Sequence, residues 1–111
     1  MKKVEAIFRK ERLEAVTVAL KEQRYPGVTV SDVQGHGQSE QNTSMPRGKT
    51  QEGLSLYVRL EIVVRNDDAY RIASAIARNA RTDRSGDGKI FISPIEGAIR
   101  IRTGEEGQGA I

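Results

Sequence analysis

The chain has 111 residues, a hydrophobic content of 37% and a formal net charge of +3, which suggest a single domain over residues 1–111 with one thin core that self-association would extend. The lack of cysteine excludes disulfides and thiolate metal sites, and the closely spaced charges of the first residues argue against a signal peptide. We therefore expect a cytoplasmic protein without direct membrane insertion.

The first third of the chain predicts a strand, a helix and a second strand. Residues 3–9 are short and mixed in polarity, as in a strand. Residues 11–24 carry apolar side chains at the i, i+3 and i+7 spacing of one helical face, and the YPG sequence that follows ends this helix. Residues 28–35 are rich in β-branched side chains and predict the second strand.

The second half of the chain has clearer periodicity. Residues 54–64, LSLYVRLEIVV, alternate in polarity and give the strongest strand signal. Residues 68–81 have apolar side chains at i, i+4 and i+8, which predicts a second helix. Residues 89–93 and 97–102 predict two short strands that are separated by Pro94.

This order of elements predicts a ferredoxin-like α+β sandwich of the β-α-β-β-α-β type, with an extra short C-terminal strand. The second and third strands would form a hairpin, and residues 37–53 would be its extended loop. This segment has one large apolar side chain, Met45, and no helical or strand period. Loops of this length in small domains are usually functional or disordered.

Two short patterns suggest binding of an anion. The GDGK sequence at residues 86–89 follows a helix, and its glycines would let successive N–H groups form an anion nest beside a lysine. Arg100 and Arg102 alternate with Ile99 and Ile101, so both guanidiniums would project about 7 Å apart from the face opposite the core. Each pattern also fits an ordinary turn or a solvated strand face.

The sequence contains no persuasive catalytic constellation, so we expect no catalytic residues and no enzymatic activity. His36 is the only histidine, and without cysteine a transition-metal site is not expected. No serine has a histidine and an acid at a recognisable spacing. Tyr57, on the outward face of the third strand, could stack on a base, cover the sheet or form a subunit contact.

The longest recognisable pattern is TDRSGDGKIFISPIEGAIRIRTGE at residues 82–105, which closely resembles the C-terminal signature of the PII signal-transduction proteins. Residues 1–20 resemble the N-terminus of that family. VTVSDVQGHG at residues 28–37 and VRLEIVV at residues 58–64 resemble its second and third strands.

The resemblance implies a compact homotrimer that binds ATP or ADP in the clefts between neighbouring subunits, and Mg²⁺ could accompany ATP. Residues 82–88 would form the phosphate-binding loop, and residues 103–111 would form the C-terminal segment. Arg100 and Arg102 would reach the phosphates from the neighbouring subunit. The implied nucleotide-binding residues are Thr29, Gly35, His36, Gly37, Gln38, Glu61, Ile62, Val63, Gly86, Asp87, Gly88, Lys89, Arg100 and Arg102.

Residues 37–53 would be the T-loop of the family, which senses the ligand at its root and docks on a target. Implied targets are an ammonium transporter, another membrane transporter or a metabolic enzyme. Arg47 matches the loop-tip arginine of the family. Ser39 replaces a glutamine that helps to hold Mg²⁺, and Tyr57 replaces a lysine that pairs with a carboxylate of 2-oxoglutarate. We therefore expect an altered or lost response to 2-oxoglutarate.

Three alternatives remain open. Divergent members of the superfamily serve inorganic-carbon uptake or carboxysome systems, so the chain could sense adenine nucleotides and bicarbonate. An RNA-binding module of the RRM type shares the element order, but Tyr57 is the only plausible stacking aromatic, and we expect no nucleic-acid partner. VQG at residues 33–35 superficially resembles the acylphosphatase phosphate loop, but it follows the second strand, and we expect no turnover.

Overall fold

Alternating apolar side chains build a four-stranded sheet, and two amphipathic helices cover it. A computed structural model describes residues 1–34 and 56–111. The strands of the described residues are β1 (Lys2–Arg9), β2 (Thr29–Val33), β3 (Tyr57–Val64) and β4 (Gly88–Pro94). The helices are α1 (Leu13–Glu22) and α2 (Ala69–Ala80), and short 3₁₀ helices span Lys10–Arg12, Asn66–Asp68 and Gly107–Ala110.

The strand order is β2-β3-β1-β4, and every neighbouring pair is antiparallel. With two helices on one face, this order confirms the predicted ferredoxin-like α+β sandwich and the predicted pairing of the second and third strands. Arg9 of β1 lies opposite Tyr57 of β3, and Phe8 lies opposite Gly88 of β4. The register therefore places the C-terminal end of β1 beside the N-terminal ends of β3 and β4, at one end of the strands.

The core lies between the helices and one face of the sheet. The predicted period of two in the third strand is confirmed, since Val58, Leu60 and Ile62 are buried between half-buried neighbours. The predicted apolar stripes of both helices also face the core. The buried cluster comprises Val4, Ala6, Phe8, Val16, Leu20, Val58, Leu60, Ile62, Val64, Ala69, Ile72, Ala73, Ile76 and Ala80.

Strand β2 lies at one edge of the sheet and is largely exposed. Asp32 lies opposite Val58, so its side chain is on the face of the sheet that the helices cover. Its carboxylate forms an ion pair with Lys10 Nζ at 3.0 Å. The edge strand therefore carries a paired charge on the side where its neighbour β3 carries valine.

Several predicted boundaries need correction. The first helix is α-helical over Leu13–Glu22 only, because Lys10–Arg12 form a 3₁₀ turn as the chain leaves β1. The third strand begins at Tyr57, and Leu56, which lies inside the predicted strand of residues 54–64, is 51% exposed. Strand β1 turns away after Arg9, so the ladder ends there apart from a 2.6 Å hydrogen bond from the Lys10 N–H to the Leu56 carbonyl.

The predicted C-terminal strand at residues 97–102 is wrong. Ile99 forms an isolated bridge with Glu106, and Ile101, predicted to face the core, is 99% exposed. The segment instead closes on itself, because the Arg100 N–H donates to the Glu105 carbonyl at 2.8 Å and the Gly104 N–H donates to the Arg100 carbonyl at 2.7 Å. These bonds satisfy the backbone within a turn, so it has no need of a neighbouring strand.

Neither helix in the described ranges has the length and apolar character needed to cross a membrane.

Candidate functional site

The GDGK sequence lies in a sharp turn between α2 and β4. Gly86 has φ of +90° and Gly88 has φ of +110°, a region that side-chain-bearing residues rarely adopt. A Cβ atom at Gly88 would lie 1.8 Å from the Ile7 carbonyl oxygen. Gly88 therefore lets the turn approach the backbone of β1 closely, and Gly86 gives the turn its second positive φ.

Asp87 organises this turn from within. Its carboxylate accepts hydrogen bonds from the Thr82 N–H at 2.8 Å, the Asp83 N–H at 2.9 Å and the Thr82 hydroxyl, and it pairs with Arg9 Nε at 3.2 Å. Desolvation raises the pKa of Asp87, but the hydrogen bonds from Thr82, Arg9 and Asp83 outweigh it and hold the pKa well below its ordinary value. The carboxylate is thus ionised and directed at its own turn.

Arg9 supports the turn from the sheet, and the sequence patterns did not identify it. The residue is only 5% exposed, and its Nη2 donates to the Ser85 carbonyl at 2.6 Å while its Nε contacts Asp87. The contacting residues are 76 and 78 positions away in the chain. No local pattern marks such a residue, since the contact arises only when β1 and β4 pair.

Tyr57 contacts the same turn from the neighbouring strand. The residue is on the outward face of β3, as predicted, and it is half-buried. Its hydroxyl donates a hydrogen bond to the Gly86 carbonyl at 2.6 Å. The Arg9 guanidinium carbon lies 5.8 Å from the centre of its ring, within the range of a cation–π contact. The structure thus joins Tyr57 to the turn at residues 82–88.

The predicted nucleotide-binding residues on β2 and β3 lie farther from the turn, along the strands. Thr29 is exposed and lies opposite Glu61, and Glu61 pairs with Lys3 at 3.2 Å. The Ile62 side chain belongs to the core, so only its backbone is available to a ligand. Val63 is six positions along β3 from Tyr57, which corresponds to about 20 Å at the rise of a strand.

Arg100 and Arg102 follow the end of β4 that lies farthest from the turn. Gly88 lies opposite Phe8 and Pro94 lies opposite Lys2, so the ends of β4 are about 20 Å apart. Both arginines are exposed in the turn that follows, and Arg100 pairs with Glu105 at 3.4 Å. The predicted alternation along a strand does not apply to them, and within the described residues no hydrogen bond or ion pair joins either arginine to the turn at residues 82–88.

The remaining predicted residues divide into two groups. Lys89 is exposed in β4, opposite Ile7 and next to the turn. Six other residues, and the whole of the segment 37–53, lie outside the described residues: Gly35, His36, Gly37, Gln38, Ser39 and Arg47.

The outward face of the central strands carries paired charges. Lys3 Nζ lies 3.2 Å from Glu61 and 3.7 Å from Glu5, and Arg59 Nε lies 3.6 Å from Glu5. The hydrogen bond to Glu61 raises the pKa of Lys3. Charged side chains therefore occupy these outward positions of β1 and β3, whereas an RRM-type surface has stacking aromatics on its central strands.

No group of three or more histidine, aspartate and glutamate side chains that could hold a metal occurs in the described part of the chain.

Comparisons with known proteins agree on one family. The family model described as Nitrogen regulatory protein P-II matches residues 1–105. The Nitrogen regulatory protein P-II of Cereibacter sphaeroides is 43% identical over the full length of both chains. The P-II 1 protein of Methanothermobacter thermautotrophicus is 46% identical and aligns over 100% of this chain and 97% of its own.

A solved structure gives the same answer for the fold. The crystal structure of Arabidopsis thaliana PII bound to citrate matches with a TM-score of 0.80 and 39% identity, and the match covers 98% of this chain and 87% of that chain. The sequence and structural similarities both extend over nearly the whole chain. The chain therefore belongs to the nitrogen regulatory protein P-II family, whose members are signalling regulators and not enzymes.

Proposed function

We propose that this chain is a PII-type regulator that binds ATP or ADP through the turn at residues 82–88 and acts on a target through residues 37–53. The observation that carries the proposal is which backbone groups of the turn already have hydrogen-bond partners. The Ser85 and Gly86 carbonyls are already bonded to Arg9 and Tyr57, whereas the N–H groups of Gly86 and Asp87 donate to no described residue. Two successive N–H groups of this kind, beside Lys89, suit a phosphate group.

Nucleotide binding between subunits of a homotrimer is part of the proposal. β4 ends at Pro94, about 20 Å from the turn, and Arg100 and Arg102 follow beyond that end, so we expect them to reach the phosphates held by a neighbouring subunit. Three large apolar side chains are exposed in β4 and in the segment that follows it, namely Phe91, Ile99 and Ile101. Exposed apolar side chains of this size suit a contact between chains.

The response to 2-oxoglutarate would be altered or lost. Tyr57 has no basic group, and its hydroxyl is bonded to the Gly86 carbonyl. A carboxylate ligand would therefore meet no positive charge from this position. Mg²⁺ would enter with the ATP phosphates, because the described residues supply no cluster of carboxylates for it.

The target would be a transporter or a metabolic enzyme, because PII proteins act by regulating other proteins. Residues 37–53, including Arg47, would contact it. A pull-down with the full chain, in the presence of ATP, of ADP or of neither, would test this step. We expect capture of a target to depend on the nucleotide, and equal capture in all three conditions would contradict the proposed signalling role.

Titration calorimetry on the full chain tests the ligand. We expect ATP and ADP to bind more tightly than AMP, and we expect no gain from 2-oxoglutarate. Parallel titrations add Mg²⁺, citrate or bicarbonate, and binding that requires bicarbonate would favour the inorganic-carbon alternative. The absence of binding by any adenine nucleotide would overturn the proposal, and clear ATP-dependent binding of 2-oxoglutarate would overturn the altered response.

A mixing experiment tests the position of the site between subunits. Lys89→Ala and Arg102→Ala should each weaken ATP binding when tested alone. If these residues come from different chains, unfolding and refolding the two variants together should restore about a quarter of the clefts, since chains associate at random in a ring. If both belonged to one chain's site, mixing would restore none. Native mass spectrometry of the same samples reports whether the assembly is a trimer.

A further inference from the structure

Two side chains from neighbouring strand ends hold three consecutive residues of the turn. Arg9 and Tyr57 are directly opposite in the pairing of β1 with β3, so both project from the outward face of the sheet. Arg9 bonds the Ser85 carbonyl and the Asp87 carboxylate, and Tyr57 bonds the Gly86 carbonyl between them. We call this pair of side chains, Arg9 and Tyr57, the clamp.

The clamp determines where the N–H groups of the turn point. All peptide bonds of the described residues are trans, so the carbonyl and the N–H of each peptide unit point in opposite directions. The Ser85 carbonyl shares its peptide with the Gly86 N–H, and the Gly86 carbonyl shares its peptide with the Asp87 N–H. With both carbonyls held by the clamp, both N–H groups face away from it.

The two members of the clamp suit each other electrostatically. The Arg9 guanidinium is almost fully buried, and the Asp87 carboxylate compensates its charge at 3.2 Å. Tyr57 presents an aromatic face to this cation and donates a hydrogen bond without adding a charge. The charge of the buried guanidinium is therefore compensated by Asp87, while the phenol hydroxyl fixes the peptide between Gly86 and Asp87.

We propose that Tyr57 is a positioning residue for phosphate recognition, and that its hydroxyl orients the Asp87 N–H while Arg9 orients the Gly86 N–H. The ligand class is a phosphoryl group, such as the polyphosphate of a nucleotide. The part that concerns the ligand rests on the proposed nucleotide binding, but the orientation of the turn does not. This role differs from that of a ligand contact, because Tyr57 acts through the turn.

The test uses the full chain with Tyr57→Phe, which keeps the ring and removes the hydroxyl. Tyr70→Phe is the matched control, because Tyr70 is 76% exposed on α2. In NMR spectra without ligand, Tyr57→Phe should shift the Gly86 carbonyl carbon and the Asp87 amide nitrogen, and Tyr70→Phe should shift neither. Arg9→Lys, a second variant, should shift the Ser85 carbonyl carbon and the Gly86 amide nitrogen.

Calorimetry then compares ATP with adenosine, which has no phosphate. Loss of one oriented donor should weaken ATP binding by Tyr57→Phe about threefold to tenfold and leave adenosine binding unchanged. Equal weakening of both ligands would indicate general damage and would overturn the proposal. Unchanged ATP affinity alongside shifted signals would also overturn the role in recognition.

The NMR measurement separates this inference from the proposed function. Unchanged Gly86 and Asp87 signals in Tyr57→Phe would overturn the clamp, whatever the protein binds. If the wild-type chain bound no nucleotide, the proposed function would fail and the role of Tyr57 in phosphate recognition would fail with it. The same spectra would still decide whether the hydroxyl orients the turn.

Discussion

Gly88 offers a direct test of how closely the turn and β1 are packed. The residue begins β4 with φ of +110°, and a Cβ atom there would lie 1.8 Å from the Ile7 carbonyl oxygen and 2.8 Å from the Ile7 carbonyl carbon. Both neighbouring atoms belong to the backbone of β1, so no side-chain rotation can relieve the contact. Gly88→Ala must therefore either move two paired strands apart or distort the turn.

The expected loss of stability combines two effects. A side chain at positive φ costs about 1–2 kcal/mol. Displacement of packed backbone to remove an overlap costs a further 1–3 kcal/mol, roughly as for overpacked cores. We therefore expect Gly88→Ala to lower the free energy of unfolding by about 3 kcal/mol, which corresponds to roughly 10–20 °C in Tm for a domain of this size.

Two other glycines separate these effects. Gly104 has φ of +75°, but a Cβ atom there would meet no described atom within 4 Å, so Gly104→Ala should carry only the backbone cost of about 1–2 kcal/mol. Gly97 has neither feature, so Gly97→Ala should change stability by less than about 0.5 kcal/mol. Urea unfolding at one fixed chain concentration measures all three, since self-association would otherwise shift the midpoints.

The order of the three variants decides whether the reasoning holds. Gly88→Ala should be the least stable, Gly104→Ala intermediate and Gly97→Ala close to wild type. If Gly88→Ala unfolded at the same urea concentration as Gly104→Ala, the close approach to Ile7 would add nothing to the loss in the free energy of unfolding. That result would refute the argument from packing, although the argument from backbone conformation would survive.

Three further predictions concern buried and charged groups. The pKa of Asp87 is held below its ordinary value of about 4, so its stabilising effect is complete above that pH and is lost as the pH falls further. Asp87→Asn should therefore unfold more easily at pH 7 and depend less on pH below about 5 than wild type, as urea titrations would show. Leu20→Ala, in the core, should cost about 2–5 kcal/mol by urea unfolding, whereas Val18→Ala, on the exposed side of the same helix, should cost less than about 0.5 kcal/mol. The Tyr25 hydroxyl donates to Asp68 and lowers its pKa, so Tyr25→Phe should raise the pKa of Asp68 in an NMR titration, and an unchanged value would contradict the contact.

Strong periodicity was enough to predict the scaffold. The alternation in β3 and the helical stripe in α2 each predict one buried face, because a period of two or 3.6 lets a single face meet the core. Ile72 and Ile76 are fully buried, as that stripe requires. Such patterns need no knowledge of a partner, since each element carries its own apolar surface.

The same kind of pattern failed at Ile99 and Ile101. Alternation indicates which side chains share a face, but a strand also needs a neighbour with free backbone groups. The turn through Gly104 supplies those groups locally, and the two isoleucines are left exposed in the single chain. The family resemblance correctly implied the family, but it could not reveal these local hydrogen bonds.

The candidate site was only partly predictable for a different reason. The glycine-rich turn is a local signal, and it was found. Arg9 and Tyr57 reach the turn across 76 and 29 residues of sequence, and only the register of the sheet brings them together. A pattern search reads neighbours along the chain, whereas this site depends on neighbours across strands.

The paired charge on β2 has a consequence for the behaviour of the protein at high concentration. Unpaired edge strands can recruit further chains into a growing sheet, and natural proteins oppose this with charges that face inward. Asp32 is such a charge, and its partner Lys10 holds it at the edge. A chain that joined β2 edge to edge would place its own side chains beside this ion pair and partly desolvate it, so we expect the pair to disfavour such pairing while leaving the ladder to β3 intact.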